Sequence, residues 1–247
     1  MSQRLAELAA RLDATRTRIA AACAAAGRDS AEITLIAVTK TYPASDVLAL
    51  AGLGLTDFGE NRDQEAAPKA AAVAAAGQPV TWHFVGQLQT NKAHSVARYA
   101  DFVHSVDRVR LVRALGAAAR AADGGLTCLV QVNLDPDAEG GGALTAGREQ
   151  QARGGAPPAM VARVAEAIEA EEGLALGGLM AVAPLGTDPR TAFAPLRRLS
   201  DAVRSVNPSA TLVSAGMSGD LEAAIECGAT HLRIGTALLG DRRPPVR

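Results

Sequence analysis

The stretch "LIAVTKTYP", residues 35–43, runs five apolar or β-branched residues into Lys40 and then turns at Tyr42-Pro43. A run this continuously apolar fits a parallel strand covered on both faces rather than an alternating strand with one wet face. Lys40 ends it, although burial penalises an ammonium group. Working outward, seven more short β-like runs follow, at 55–61, 81–86, 102–107, 126–133, 175–183, 211–216 and 231–235, the first being 33–40. Helical spacings lie between them, as in Val109, Val112 and Leu115, or Phe193, Leu196, Leu199, Val203 and Val206. Eight strand–helix repeats in 247 residues predict one (β/α)8 TIM barrel, a fold of typically about 250 residues, over 1–247 as a single domain. An open doubly wound sheet is the alternative, but "TKTYPA" after the first strand is no GxGxxG fingerprint.

Ahead of the first strand, Leu5, Leu8, Leu12, Ile19 and Cys23 recur at helical spacing, so an extra N-terminal helix closed by Gly27 is expected. Residues 134–159, "LDPDAEGGGALTAGREQQARGGAPPA", interrupt the rhythm and read as a flexible loop.

A net charge of −1, with no basic block beyond Asp241-Arg242-Arg243, argues against nucleic acid or an anionic membrane as partner. Aromatic residues, at 3%, are too scarce for base-stacking platforms. Cys23, Cys128 and Cys227 stand far apart without a CxxC, which suits a reducing compartment. The N-terminal helix is too charged for a signal peptide, and no apolar run reaches the roughly 18 residues of a membrane span. A cytoplasmic protein is expected.

In such a barrel, chemistry collects at the C-terminal ends of the strands. Lys40, Glu60, Asn61, His83, Asp107, Asn133, Met180, "SAGMS" (214–218) and "RIGT" (233–236) fall there. Ser214, Gly216, Ser218, Gly235 and Thr236 combine hydroxyls with room for close backbone approach, and Ser218 is expected to begin a helix whose N–H groups face an anion. Taken singly, Ser218 reads as an N-cap and Gly235 as a turn residue; together the two clusters point to phosphate. Lys40 faces that site, and a partly desolvated lysine is an amine nucleophile toward an aldehyde. Pyridoxal 5′-phosphate (PLP) and a phosphorylated sugar both satisfy this pair of features. Of the rest, Glu60 and Asp107 are candidate general acids or bases but read first as helix caps or partners of arginine, and His83 as either a site-lining or a core histidine. Met180 and Trp82 read as packing residues, and Glu222 and Glu226 as a solvated helix face. His94, His104 and His231 share no metal-ligand spacing.

The blocks "AVTKTYP", "FGENRDQE", "WHFVGQLQTNK", "SVDR", "GLMAVAP" and "SAGMSGDLEAAIECGATHLRIGTALLG" occur in order along nearly the whole chain. In this series the chain resembles the PLP homeostasis protein family, the YggS-type proteins. The resemblance implies a barrel like the alanine racemase N-terminal domain, and a role in vitamin B6 and amino-acid homeostasis without established turnover. It further implies that Lys40 holds PLP as a Schiff base and that Arg233 faces the pyridine nitrogen. Ser214, Gly216, Met217, Ser218, Gly235 and Thr236 would form the phosphate cradle, with Asn61 and His83 lining the cofactor. Where that family often has a lysine before a glycine after strand five, "DAEGGG" has none. A monomer that passes PLP to PLP-dependent apoenzymes is the expectation; a PLP-dependent amino-acid racemase and a PLP-free aldolase are the alternatives. Full racemases add a second domain and a tyrosine base from the partner subunit, whereas this chain stops after strand eight with only Tyr42 and Tyr99.

Overall fold

The structure, a computed structural model, describes residues 3–122, 124–135 and 154–240. The strands are β1 (Thr34–Val38), β2 (Asp57–Glu60), β3 (Thr81–Phe84), β4 (Phe102–Val106), β5 (Leu126–Val132), β6 (Leu174–Ala181), β7 (Leu212–Ser214) and β8 (His231–Ile234). All pair in parallel in chain order, and β8 returns to β1 with Ile36 beside Arg233, closing an eight-stranded barrel. The predicted architecture is therefore the observed one.

Helices separate the strands: α1 (Gln3–Ala25), α2 (Ala44–Gly52), α3 (Asp63–Ala75), α4 (Ala93–Val96), α5 (Val109–Ala121), α6 (Val161–Glu169), α7 (Pro189–Phe193), α8 (Leu196–Val206), α9 (Leu221–Glu226) and α10 (Thr236–Leu239). Among the described residues none is long and apolar enough to cross a membrane. The expected N-terminal helix is α1, which buries Leu8, Leu12, Ile19 and Cys23 against α9, α10 and α2, the helices flanking the β8–β1 closure. Arg4 on Asp46 and Arg18 on Glu222 pin its two halves. Glu222 is thus a docking partner for α1 and not part of a simple solvated face, and Glu226 pairs with Arg190.

Alternation along each strand sends one set of side chains outward to the helices and the other into the bore. Phe58 and Trp82 go outward, their ring centroids 6.1 Å apart, which makes Trp82 the wall-packing residue expected of it. Asp57, His83, His104, Ser214 and Arg233 go inward, where they meet one another.

Most of the predicted loop, residues 136–153, lies outside the described residues. Its far end corrects the expectation: Ala156 forms a parallel bridge to Val132, and Gly154 accepts a hydrogen bond from the Gln131 amide. That end is tied to β5 because its backbone groups complete the strand's edge before α6 begins.

Candidate functional site

Lys40 stands just past the end of β1, two residues beyond Val38 and in step with the bore-lining Ile36 and Val38. It is partly exposed, while Thr39 before it is fully buried. Thr41 after it has φ 70, a left-handed conformation that costs a β-branched residue about 1–2 kcal/mol. Neighbours hold both sides of the lysine. The Thr41 N–H donates to Glu65 (3.0 Å), and the Thr39 hydroxyl donates to Glu60 (2.6 Å). Lys69 Nζ reaches both the Thr39 carbonyl (2.8 Å) and Glu60 Oε1 (2.5 Å). Glu60 points outward to α3 and so faces away from the mouth. Burial raises its carboxyl above the usual range, against the opposing pull of Lys69, and its second oxygen is buried without a hydrogen-bond partner. Glu60 thus pairs with a lysine and not with the expected arginine, whereas Asp107 pairs with Arg108 as expected.

On β8, the strand next to Lys40's own, Arg233 is buried, its terminal nitrogens donating to Ser214 Oγ (2.6 Å) and the Ala181 carbonyl (2.8 Å). Both acceptors are neutral. Burial pushes its guanidinium down to about 10, and among the described residues no carboxylate lies in ion-pair contact with it. An enclosed cation without a counter-charge is costly, which makes this end of the bore receptive to an anion or a lone pair.

The β7 and β8 ends lie side by side, since Arg233 N–H donates to the Gly216 carbonyl and Ala237 N–H to Ser218 Oγ (3.3 Å). Gly216 has φ 91, and a Cβ there would meet Ala224 at 2.7 Å and Leu232 at 2.9 Å, so only glycine fits. Gly235 differs: a Cβ would come no closer than 3.5 Å, to the Val38 carbonyl, on the side of Lys40's strand. Ser218 and exposed Thr236 border this open space, with Met217 on the rim of a cleft of about 310 Å³ shared with Asn133 and Leu185.

Two placements change the sequence picture. Ser218 does not begin a helix: residues 218–220 form a turn, and Asp220 precedes α9 while accepting the Met217 N–H at 2.5 Å. Three consecutive small or acidic residues favour a turn, and the Asp220 side chain closes it. Ser214 sits apart from the rim, fully buried, its hydroxyl engaged by Arg233 and His104. It belongs structurally with the arginine and not with Ser218.

His83 is buried, stacked on Phe102 with centroids 4.6 Å apart and hydrogen-bonded to His104 and Asp57. Its register places it level with Gly59 and Val38, below Lys40. Asn61 lies at the mouth, where its carbonyl fills the place a Cβ on Gly86 would take. His104 was missed as a site residue. Its even spacing with Phe102 and Val106 was the available signal, since a polar residue within an apolar strand faces either the bore or a partner.

The fold and the mouth together define a barrel of the alanine racemase N-terminal-domain type. Residues 10–243 match the family described as "Alanine racemase, N-terminal domain". Alanine racemase from Corynebacterium glutamicum shares the fold, with a TM-score of 0.62 at 15% identity over 92% of this chain and 60% of that one. Two proteins are nearer. The "Pyridoxal phosphate homeostasis protein" of Mycobacterium tuberculosis is 44% identical over 254 residues, 97% of this chain and 95% of its own. PipY of Synechococcus elongatus, solved with PLP bound, is 31% identical with a TM-score of 0.78, covering 94% of this chain and all (100%) of PipY. The chain belongs to the pyridoxal phosphate homeostasis protein family.

Proposed function

We propose that this chain binds PLP covalently at Lys40 and serves PLP homeostasis as a carrier, without amino-acid turnover. The observation that carries the reading is the pairing, at one barrel mouth, of a clamped lysine with a buried guanidinium that has no carboxylate partner among the described residues. The residues present fit the group. Gly216 and Gly235 let backbone approach a phosphate, Ser218 and Thr236 offer hydroxyls beside them, and Arg233 has the position and charge to meet the ring nitrogen. Bound PLP supplies an aldehyde carbon that amines capture reversibly. Lys40 provides that amine, the cradle residues and Met217 hold the phosphate end, and Asn61 borders the mouth; His83 supports the site from below.

Arg233 is a cation and disfavours protonation of the ring nitrogen it faces, which weakens the ring as an electron sink. Racemisation needs a second base opposite Lys40. Neither tyrosine serves: Tyr42 donates its hydroxyl to the Gly240 carbonyl at 2.7 Å, and Tyr99 packs against the outer core with its hydroxyl pushed up by burial. We place the protein in the cytoplasm, in keeping with its free cysteines, as a monomer that hands PLP to apoenzymes.

Titration with PLP, followed by visible absorbance, tests this in wild type and Lys40→Ala. Wild type is expected to develop the band of a lysine adduct and Lys40→Ala to lack it; an unchanged band in Lys40→Ala would contradict the assignment. Incubating the loaded protein with L-alanine in deuterated water tests turnover: rapid exchange of the Cα proton with appearance of D-alanine would make it a racemase.

A further inference from the structure

A continuous hydrogen-bonded chain crosses the bore beneath the mouth, drawing one side chain from each of five strands. Asp57 Oδ1 meets His83 Nε2 at 2.9 Å, and His83 Nδ1 meets His104 Nε2 at 2.9 Å. His104 Nδ1 meets Ser214 Oγ at 2.9 Å, and Ser214 Oγ takes Arg233 Nη1 at 2.6 Å. Barrel bores are usually filled with branched aliphatic side chains. A polar chain here is costly unless every member is satisfied, so its proton inventory can be worked through.

Burial pushes Asp57 up, but hydrogen bonds from His83 and Thr56 outweigh it and hold the carboxyl below its usual value. Asp57 therefore only accepts, and His83 Nε2 carries a proton. At the other end a guanidinium can only donate, so Ser214 Oγ accepts from Arg233. Burial, with Arg233 adding to it, keeps His104 neutral, with one N–H and one lone pair. One arrangement meets every group with both rings neutral. Ser214 O–H donates to His104 Nδ1, His104 Nε2–H donates to His83 Nδ1, and His83 Nε2–H donates to Asp57. The reverse arrangement needs a second proton on His83. His104 thus dictates where the Ser214 hydrogen points, and so which lone pair is left for Arg233. With Ala181 accepting from the other terminal nitrogen, the guanidinium is held at two points.

We propose that His104 is a positioning residue for Arg233: acting through Ser214, it aims the guanidinium at the ring nitrogen of bound PLP. This rests on the reading that the chain binds PLP with Arg233 beside that nitrogen. The role differs from simple core packing in what it predicts. Loss of packing weakens every ligand alike, whereas loss of aim weakens only those ligands that carry an acceptor at the ring position.

The test compares dissociation constants for PLP and for 1-deaza-PLP, in which carbon replaces the ring nitrogen. Wild type is expected to prefer PLP by roughly tenfold or more, the worth of one hydrogen bond from a charged donor. Arg233→Leu should abolish the preference. His104→Phe should lose most of it, and His104→Gln, which keeps a donor and an acceptor, should restore much of it. Ser214→Ala removes the link with little change of volume and should behave as His104→Phe does, which covers the case in which the phenylalanine variant fails to fold. If His104→Phe and Ser214→Ala weaken both ligands equally and keep the wild-type ratio, the positioning role is overturned while the PLP reading stands. If wild type itself does not distinguish the two ligands, Arg233 does not address the ring nitrogen, and the placement and the positioning role fall together.

Discussion

Replacing Lys69 with methionine isolates the buried pair beneath Lys40. Lys69 and Glu60 are both buried, and Lys69 supplies Glu60 Oε1 with its charged partner at 2.5 Å. In Lys69→Met the carboxylate keeps only the Thr39 hydroxyl, and its Oε2 has no partner to begin with. Removing one member of a buried ion pair costs about 3–5 kcal/mol, a large share of a total of about 5–15 kcal/mol. The carboxylate can escape part of that cost by taking up a proton, so the penalty depends on pH. Burial already raises Glu60, and loss of the lysine raises it further. The folded state then keeps a proton that the unfolded state has released. Stability is fullest below the ordinary carboxylate range and falls as pH rises toward the folded value, by at most about 1.4 kcal/mol per pH unit. Urea unfolding at about pH 5 and about pH 7 should show Lys69→Met less stable at the higher pH. Glu60→Leu/Lys69→Met should recover most of the loss and be flat in this range, because a well-packed apolar pair substitutes for a buried ion pair at little cost. A Lys69→Met penalty under about 1 kcal/mol with no pH dependence would mean that the pair is effectively solvated, and the reasoning would fail.

The two site glycines separate folding from binding. Gly216→Ala should cost about 1–3 kcal/mol in thermal or urea unfolding through its positive φ and its clash with Ala224 and Leu232. Gly235→Ala should leave stability within about 1 kcal/mol but weaken PLP binding, as its Cβ enters only the open cradle. Ser218→Ala/Thr236→Ala should weaken PLP far more than pyridoxal, because charge-assisted bonds to phosphate are the strong ones; equal loss for both would move the phosphate elsewhere. Acid should destabilise the bore. Burial lowers His231 to about 4 and His104 well below its usual value, so the unfolded chain binds protons that the folded chain refuses. Stability present above about pH 6.5 is then lost as pH falls toward the folded values, about 3 kcal/mol from His231 alone. An unfolding free energy unchanged between neutral pH and about pH 5 would contradict this.

The barrel was legible because each strand is a short apolar run bounded by turn residues, and each observed strand falls on a predicted run, to within one residue at the start of β6. Lys40 and Arg233 were legible as polar residues at or near the ends of apolar strands. Their supports were not. Lys69 lies in the middle of an alanine-rich helix, and nothing in "APKAA" says that its ammonium reaches Thr39 and Glu60. The left-handed Thr41 has no sequence mark either, since its strain is offset by Glu65, more than twenty residues away. The bore chain joins positions as far apart as His104 and Ser214, 110 residues, and only the closed register brings them into contact. The parity of His83 and His104 along their strands was readable; which face would be the bore was not.

The central claim is that Lys40 is the residue that holds PLP. The chain has three lysines, so borohydride reduction of the PLP-loaded protein followed by peptide mass mapping gives a direct answer. Lys69 is committed to Glu60, and Lys92 lies 3.7 Å from Asp63 on the exposed side of the β3 loop. A pyridoxyl mass on the peptide containing Lys40 is predicted. The same mass found mainly on Lys69 or Lys92, with Lys40 unmodified, would contradict the account.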